Sequence, residues 1–239
     1  MSKVINQLTS LLKRRPNSRG QSLVELALVL ALLMFMVVAI IEYGFMLNNY
    51  LVLMDAARDA ARQGSLADPF MAADPSQLDP NFYARPDTNN PVSPTNPPGI
   101  SDLVENSLNS ALPSKKAPNS PDCVPPAPNA PGCALDKADG DDIIISFYSV
   151  DNGVPTLFPY AGGYSRYGNH TTRFSTADVQ ALLNASAPGA GVLVVEIYYN
   201  YHQILNLPIF SNVVPNPLLL YTYAIMPLSG AEPTPTAIP

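Results

Sequence analysis

Residues 26–41 read LALVLALLMFMVVAII, an apolar run without a charge or a proline. Nothing else in the chain limits its fold so sharply. At about 16 residues the run falls short of the roughly 20 that span a bilayer. Leu23, Val24 and the apolar stretch 43–47 make up the difference, provided that Glu25 and Glu42 sit near the two interfaces. On one helix these carboxylates stand about 25 Å apart at 1.5 Å per residue. That fits the headgroup boundaries of a roughly 30 Å hydrocarbon core with small adjustments. Ahead of the run lie Lys3, Lys13, Arg14, Arg15 and Arg19, with no acid among them, and then Gly20. Basic residues on one flank put that flank in the cytoplasm and everything after about residue 50 outside. A cleaved secretory signal is the rival, but its apolar region is about 7–15 residues long and ends at a small-residue site. Here the run continues into a long helix, and Ala56-Ala57 comes too far downstream.

From residue 21 to about 63 the pattern predicts a single helix, with no proline and only Gly44 inside it. Gly44 either admits a neighbouring helix closely or is tolerated at about 1 kcal/mol. Past the membrane, Asp55, Arg58, Asp59 and Arg62 have the spacing of helical ion pairs. Ala56, Ala57, Ala60 and Ala61 form a smooth face for the chain's own domain or for the next subunit. In the leader, Ile5, Leu8, Leu11 and Leu12 are spaced for an amphipathic helix on the inner membrane face; a disordered basic tail is the equal alternative. Residues 65–135 are rich in Pro, Asn, Ser and Asp, a composition expected to bury too little apolar surface to offset chain entropy. Within them, 100–112 reads as a short helix with Ser101 as N-cap and Leu103, Val104, Leu108 and Leu112 on one stripe; Pro113 ends it. Strand patterns follow at 143–150, 192–201 and 218–226, and Ser175-x-x-Asp178 opens a capped helix over 175–185.

The segment Arg19-Gly20-Gln21-Ser22-Leu23-Val24-Glu25, set directly before the apolar run, resembles the amino-terminal signal of type IV pilins and pseudopilins. Ile41-Glu42-Tyr43-Gly44, followed by Ala56-Ala57-Arg58 and Ala60-Ala61-Arg62, narrows the likeness. Together these residues resemble the TadE-like pseudopilins of tight-adherence (Flp) pilus systems over about 19–64, with a looser likeness at 192–201 and 218–226. The resemblance implies cleavage between Gly20 and Gln21 by a prepilin peptidase. It implies that Glu25 and Glu42 are subunit-docking carboxylates, Glu25 pairing with the freed Gln21 amine of the next subunit and Glu42 reaching water near the outer interface. A charge at the head of a membrane helix costs roughly 2.5–3.5 kcal/mol on insertion scales, so Glu25 calls for a partner or a task; the alternative is that it snorkels to the interface unpaired. The expected fold is α+β: a long pilin-like N-terminal transmembrane helix, a Pro-rich segment and a small β-rich extracytoplasmic domain. Its parts are a leader at 1–20, the helix and its extension at 21–64, a Pro/Asn-rich segment at 65–135, an α+β domain at 136–228 and a flexible tail at 229–239. The implied partners are the lipid bilayer, a prepilin peptidase, other pilin or pseudopilin subunits and the inner-membrane assembly platform. The implied function is that of a minor pilin or pseudopilin in pilus assembly. The alternative is a single-pass surface protein for binding or adhesion whose anchor is pilin-like.

Charge and side-chain chemistry point away from other classes. The chain carries −6, and removing the five positive charges of residues 1–20 leaves −11. So acidic a remainder is unsuited to nucleic acid, where Lys and Arg must neutralise phosphates. Cys123 and Cys133 bracket a proline-rich loop, and outside the cytoplasm a disulfide is expected there, worth about 2–3 kcal/mol for a loop of about ten residues. His170 and His202 lack ligand spacing to either cysteine, which argues against zinc. Asp136, Asp139, Asp141 and Asp142 suggest a calcium loop, but the spacing is not that of an EF-hand and acidic turns are ordinarily just turns. Residues 163–168 miss the nucleophile-elbow spacing, and no phosphate loop ends in Lys-Ser/Thr. The expectation is therefore no enzyme, no cofactor and no metal. The tyrosines near 160–167 and 198–201 read as half-buried packing rather than a binding surface.

Overall fold

The computed structural model describes residues 18–67, 69–71, 74–84, 98–117, 132–151, 153–183, 191–205 and 214–228. Residues 1–17 of the leader with its amphipathic stretch, Cys123 and the tail 229–239 lie outside these residues. The chain divides into two units, residues 1–45 and 46–239.

The first unit is the N-terminal part of helix α1 (Ser18–Gly64). Leu is its commonest residue, and that side chain loses little rotamer freedom in a helix, while Val and Ile add apolar surface. None of its most apolar window is buried. It is, among the described residues, the one helix long and apolar enough to cross a membrane.

The second unit takes residues 46–64 of α1 and adds a small hairpin, β1 (Phe70–Met71) and β2 (Asp74–Leu78), and helix α2 (Ile100–Ala111). Then come strands β3 (Asp142–Asp151), β4 (Val154–Phe158) and β5 (Tyr164–Ser165), helix α3 (Thr176–Leu182), and strands β6 (Val192–Tyr201) and β7 (Leu218–Pro227). The main sheet is antiparallel in the order β4-β3-β6-β7, with β5 also on β3. Register pairs Asp142 with Tyr198, Glu196 with Tyr223 and Tyr201 with Leu218.

Period-two alternation gives the sheet two apolar faces. Leu193, Val195, Ile197, Tyr199 and Tyr201 of β6 join Ile143, Ile145 and Phe147 of β3 on one. Leu53, Ala56, Ala57, Ala60 and Ala61 of α1 and Val104 and Leu108 of α2 cover them. Small side chains let α1 lie close. A Cβ on Gly64 would stand 2.6 Å from Ile100 and 2.8 Å from Leu193, so the end of α1 admits nothing larger without displacement. The opposite face holds Tyr148, Val150, Val192 and Val194 under Val179 of α3.

Two expectations are corrected. Composition alone left residues 65–135 outside the core, apart from a short helix. Yet Phe82, Tyr83, Cys133, Ala134 and Leu135 are buried together with the apolar stripe of α2. Full burial of one such side chain contributes about 1.5–3 kcal/mol, so a few aromatic and aliphatic residues suffice in a polar stretch. Nor is Ser101 the N-cap of α2. Gly99 is, and its N–H donates to Asp102 at 3.0 Å. Ser101 lies inside the helix, and its hydroxyl donates to the Tyr83 carbonyl at 2.7 Å. At α3 the expected cap is present: Asp178 N–H donates to the Ser175 hydroxyl, and Ser175 N–H donates to the Asp178 carboxylate.

Candidate functional site

The assembly residues read from sequence all lie on α1. Gly20 and Gln21 sit in helical backbone, and their side chains fall outside the described set. Glu25 is exposed, on a helix most of whose apolar side chains from Leu23 to Ile41 also face outward, with Phe35, Val38 and Ala39 half-buried. Glu42 differs from expectation. It is only 8 % exposed, where a water-accessible position was anticipated.

Within the second unit, residues 46–64 are amphipathic in the ordinary sense. The four alanines are buried, while Asp55, Arg58, Asp59 and Arg62 are exposed. Arg62 pairs with Asp59 at 3.2 Å and Gln63 donates to Asp59 at 2.8 Å. Such exposed pairs are worth a few tenths of a kcal/mol. The charged side of α1 and residues 223–226 of β7 border a groove of about 650 Å³.

The acidic turn does not present an open cation site. The Lys115 ammonium occupies its centre, donating to Asp139 at 2.6 Å, Asp141 at 2.8 Å and the Asn200 carbonyl at 2.6 Å, and lying 4.0 Å over the Tyr199 ring. Burial pushes the Asp141 carboxyl up, against the pull of Lys115. At Asp139, burial is outweighed by hydrogen bonds from Lys115 and His202, and the carboxyl stays below its ordinary value. Lys116 does the same for Asp136 at 2.8 Å. Asp142 points elsewhere. It accepts the backbone N–H groups of Tyr167, Asn169 and His170 and the Ser165 hydroxyl, and so shapes the loop after β5.

Two further buried networks tie elements far apart in sequence. Arg166 donates to Glu105 at 3.1 Å and lies 3.4 Å from Asp102, joining that loop to α2, and the Tyr167 hydroxyl donates to Glu105 at 2.7 Å. Burial raises the Glu105 carboxyl despite Arg166; burial lowers the Arg166 guanidinium, but Glu105 and Asp102 outweigh it and raise it overall. On the opposite face, Glu196 is fully buried and accepts from the hydroxyls of Thr172 and Tyr221 and from the Arg173 N–H. The Arg173 guanidinium stacks on Tyr221 at 4.1 Å, and His170 stacks on Tyr198. These carboxylates are committed to structural contacts, and no three His, Cys, Asp or Glu groups among the described residues are placed to hold a metal. Cys133 is buried and disulfide-bonded; Cys123, the chain's other cysteine, is outside the described residues.

Comparison with known families selects the helix. Residues 20–62 match the family model described as TadE-like protein. The resemblance read from residues 19–64 is borne out over that stretch, which is α1 from the Gly20 position to Arg62. No curated protein and no solved structure matches the chain.

Proposed function

We propose that this chain, TadE-like along α1 and so tight-adherence pilus-associated, acts as a membrane-anchored minor pilin or pseudopilin. The coincidence of one membrane-length apolar helix with the family match at residues 20–62 carries the reading. The leader stays in the cytoplasm, held by its five basic residues. A prepilin peptidase cuts between Gly20 and Gln21. The helix then holds the second unit outside the cytoplasm, and Glu25 pairs with the Gln21 amine of a neighbouring subunit. In low dielectric a carboxylate and an ammonium are natural partners, and the pair fixes axial register between helices that are otherwise held by nonspecific apolar packing.

Intact mass spectrometry after co-expression with a prepilin peptidase tests this. The protein loses its first 20 residues, and Gly20→Val blocks the loss. An intact Met1 terminus under those conditions refutes the pseudopilin reading and favours a surface-anchored binding protein with a pilin-like anchor.

A further inference from the structure

Two contacts fix the direction in which α1 crosses the second unit. Its end, Gly64, meets Leu193, which is paired with Met226. About half a turn to two and a half turns earlier, Asp55 to Arg62 border Tyr223 to Met226. Toward its N-terminus, therefore, the helix runs down β7 toward Leu218. Met46 lies about 27 Å back from Gly64 along the helix, and Leu218 lies about 26 Å back from Met226 along its strand. Both Met46 and Leu218 pack against the same core cluster. The point where the chain enters the second unit thus shares one end of the domain with the Tyr201–Leu218 pair.

That end is apolar. Ile204 is 55 % exposed, Leu205 39 % and Leu219 40 %, and Leu47, Tyr50 and Leu51 of α1 are exposed too. The two sides of the 203–217 segment are tied together: Gln203 N–H donates to the Asn216 side chain and Gln203 Nε2 to the Val214 carbonyl, both at 3.2 Å. No charged residue occurs from Gln203 to Ala231 or from Tyr43 to Met54. These two segments are therefore uncharged in a chain that carries −11 beyond residue 20. The acidic turn nearby holds Asp136, Asp139 and Asp141 against Lys115 and Lys116, and its Asp142 is enclosed by backbone N–H donors and the Ser165 hydroxyl.

We propose that this end of the domain docks on the lipid surface of the membrane that anchors it, with Ile204, Leu205 and Leu219 entering the boundary between headgroups and acyl chains. The inference rests on α1 spanning the bilayer. Met46 follows the apolar segment directly, so the entry end of the domain is held covalently within a few residues of the bilayer. Apolar side chains at an uncharged surface are what partitions into the interface, whereas a strongly acidic surface is repelled by anionic headgroups. The domain then lies on the outer leaflet as a brake on subunit tilt, and leaving the membrane for a fibre requires that contact to be released.

The chain has no tryptophan, so single tryptophans report cleanly. The full-length protein is reconstituted in phosphatidylethanolamine/phosphatidylglycerol vesicles containing brominated phospholipid, with Leu205→Trp as reporter. Val154→Trp, on the β3–β4 turn near the opposite end of the sheet, is the control. Leu205→Trp loses most of its emission to the brominated lipid and Val154→Trp does not. A Leu219→Trp reporter behaves like Leu205→Trp and loses its quenching when Ile204→Glu and Leu205→Glu are added, with the near-ultraviolet circular dichroism retained. Equal quenching at 205 and 154 overturns the proposal. Shielding of Leu205→Trp from aqueous acrylamide without lipid quenching also overturns it, because a second protein then covers the site. Vesicle flotation separates the two levels: protein that fails to float refutes the anchor, while protein that floats without quenching refutes only the docking.

Discussion

Helix α1 and the sheet behind it were shaped by different demands. The helix carries outward-facing apolar side chains, one exposed carboxylate at Glu25 and a charged face at residues 55–62, and the family match coincides with it. The sheet unit carries satisfied carboxylates and two apolar faces, and no match reaches it. Membrane insertion, proteolytic processing and helix docking each need particular residues at particular spacings. A β-sheet needs only alternation, a requirement many unrelated sequences meet. Variants at the outward-facing residues of the helix are therefore expected to change assembly with little change in stability, and variants at buried residues of the helix or the sheet the reverse.

Glu25→Ala is the strongest challenge to that division. The variant inserts and is processed, keeps the thermal stability of the second unit, and is absent from the assembled pilus fraction. Normal piliation in a strain carrying only this variant would show that the helix does no more than anchor. Glu42→Ala sharpens the contrast: a residue only 8 % exposed responds to replacement with a measurable fall in melting temperature, unlike Glu25.

On the sheet side the largest expected effect is at Arg166. Arg166→Met leaves Glu105 and Asp102 buried without their cation. Breaking a buried pair in this way costs about 3–5 kcal/mol, which lowers Tm by roughly 10 °C in a domain of this size. A loss below about 1 kcal/mol in denaturant melts would mean that α2 is not held by this network. Removing the disulfide at Cys133 ranks next, at about 2–3 kcal/mol for a loop of about ten residues. In intact cells a membrane-impermeant thiol reagent should label the protein only after reduction. Labelling without reductant would show that the bond is not formed in the cell.

The two regions also differed in how much of them could be read from sequence. Strand β6 falls on the expected residues 192–201, and β3, β7 and the Ser175–Asp178 box lie within a residue or two of expectation. Local alternation and local capping are all that these features require. The polar contacts were hidden because their partners are remote. Lys115 reaches Asn200 across 85 residues, and Arg166 reaches Glu105 across 61. Glu196 lies in the middle of a strand, and residues 172–173 and Tyr221 enclose it. Tyr83 lay in a stretch whose average composition concealed it, and it is buried against Phe82 and Tyr164. Of the residues singled out on the helix, Glu25 and the Gly20–Gln21 pair stand out in the sequence because membrane chemistry makes charges and glycines conspicuous, and their roles stay proposals; the burial of Glu42 did not stand out, since burial is a property of the fold and not of the local motif.

The smallest effect lies in the acidic turn and separates opposing proton linkages. Asp139 titrates below its ordinary value of 3.8 in the folded chain. It therefore contributes stability above pH 3.8, and that stability is lost as pH falls through the lower folded value. Asp136 behaves in the same way. Asp141 and Glu105 are raised, so the folded state takes up their protons first, and mild acidification down to their ordinary values of 3.8 and 4.5 favours folding. Stability is then highest on the acidic side of neutrality and falls below pH 3.8. Asp139→Asn removes one lowered carboxyl while keeping its shape. The variant should melt slightly below the parent at pH 7, and the gap should close as the pH falls below 3.8 and on through the lower folded value, below which the parent's Asp139 is also neutral. A gap that stays constant from pH 7 to pH 3 would mean that Asp139 contributes packing and not charge, and that the Lys115 ammonium is held by Asp141 and the Asn200 carbonyl alone.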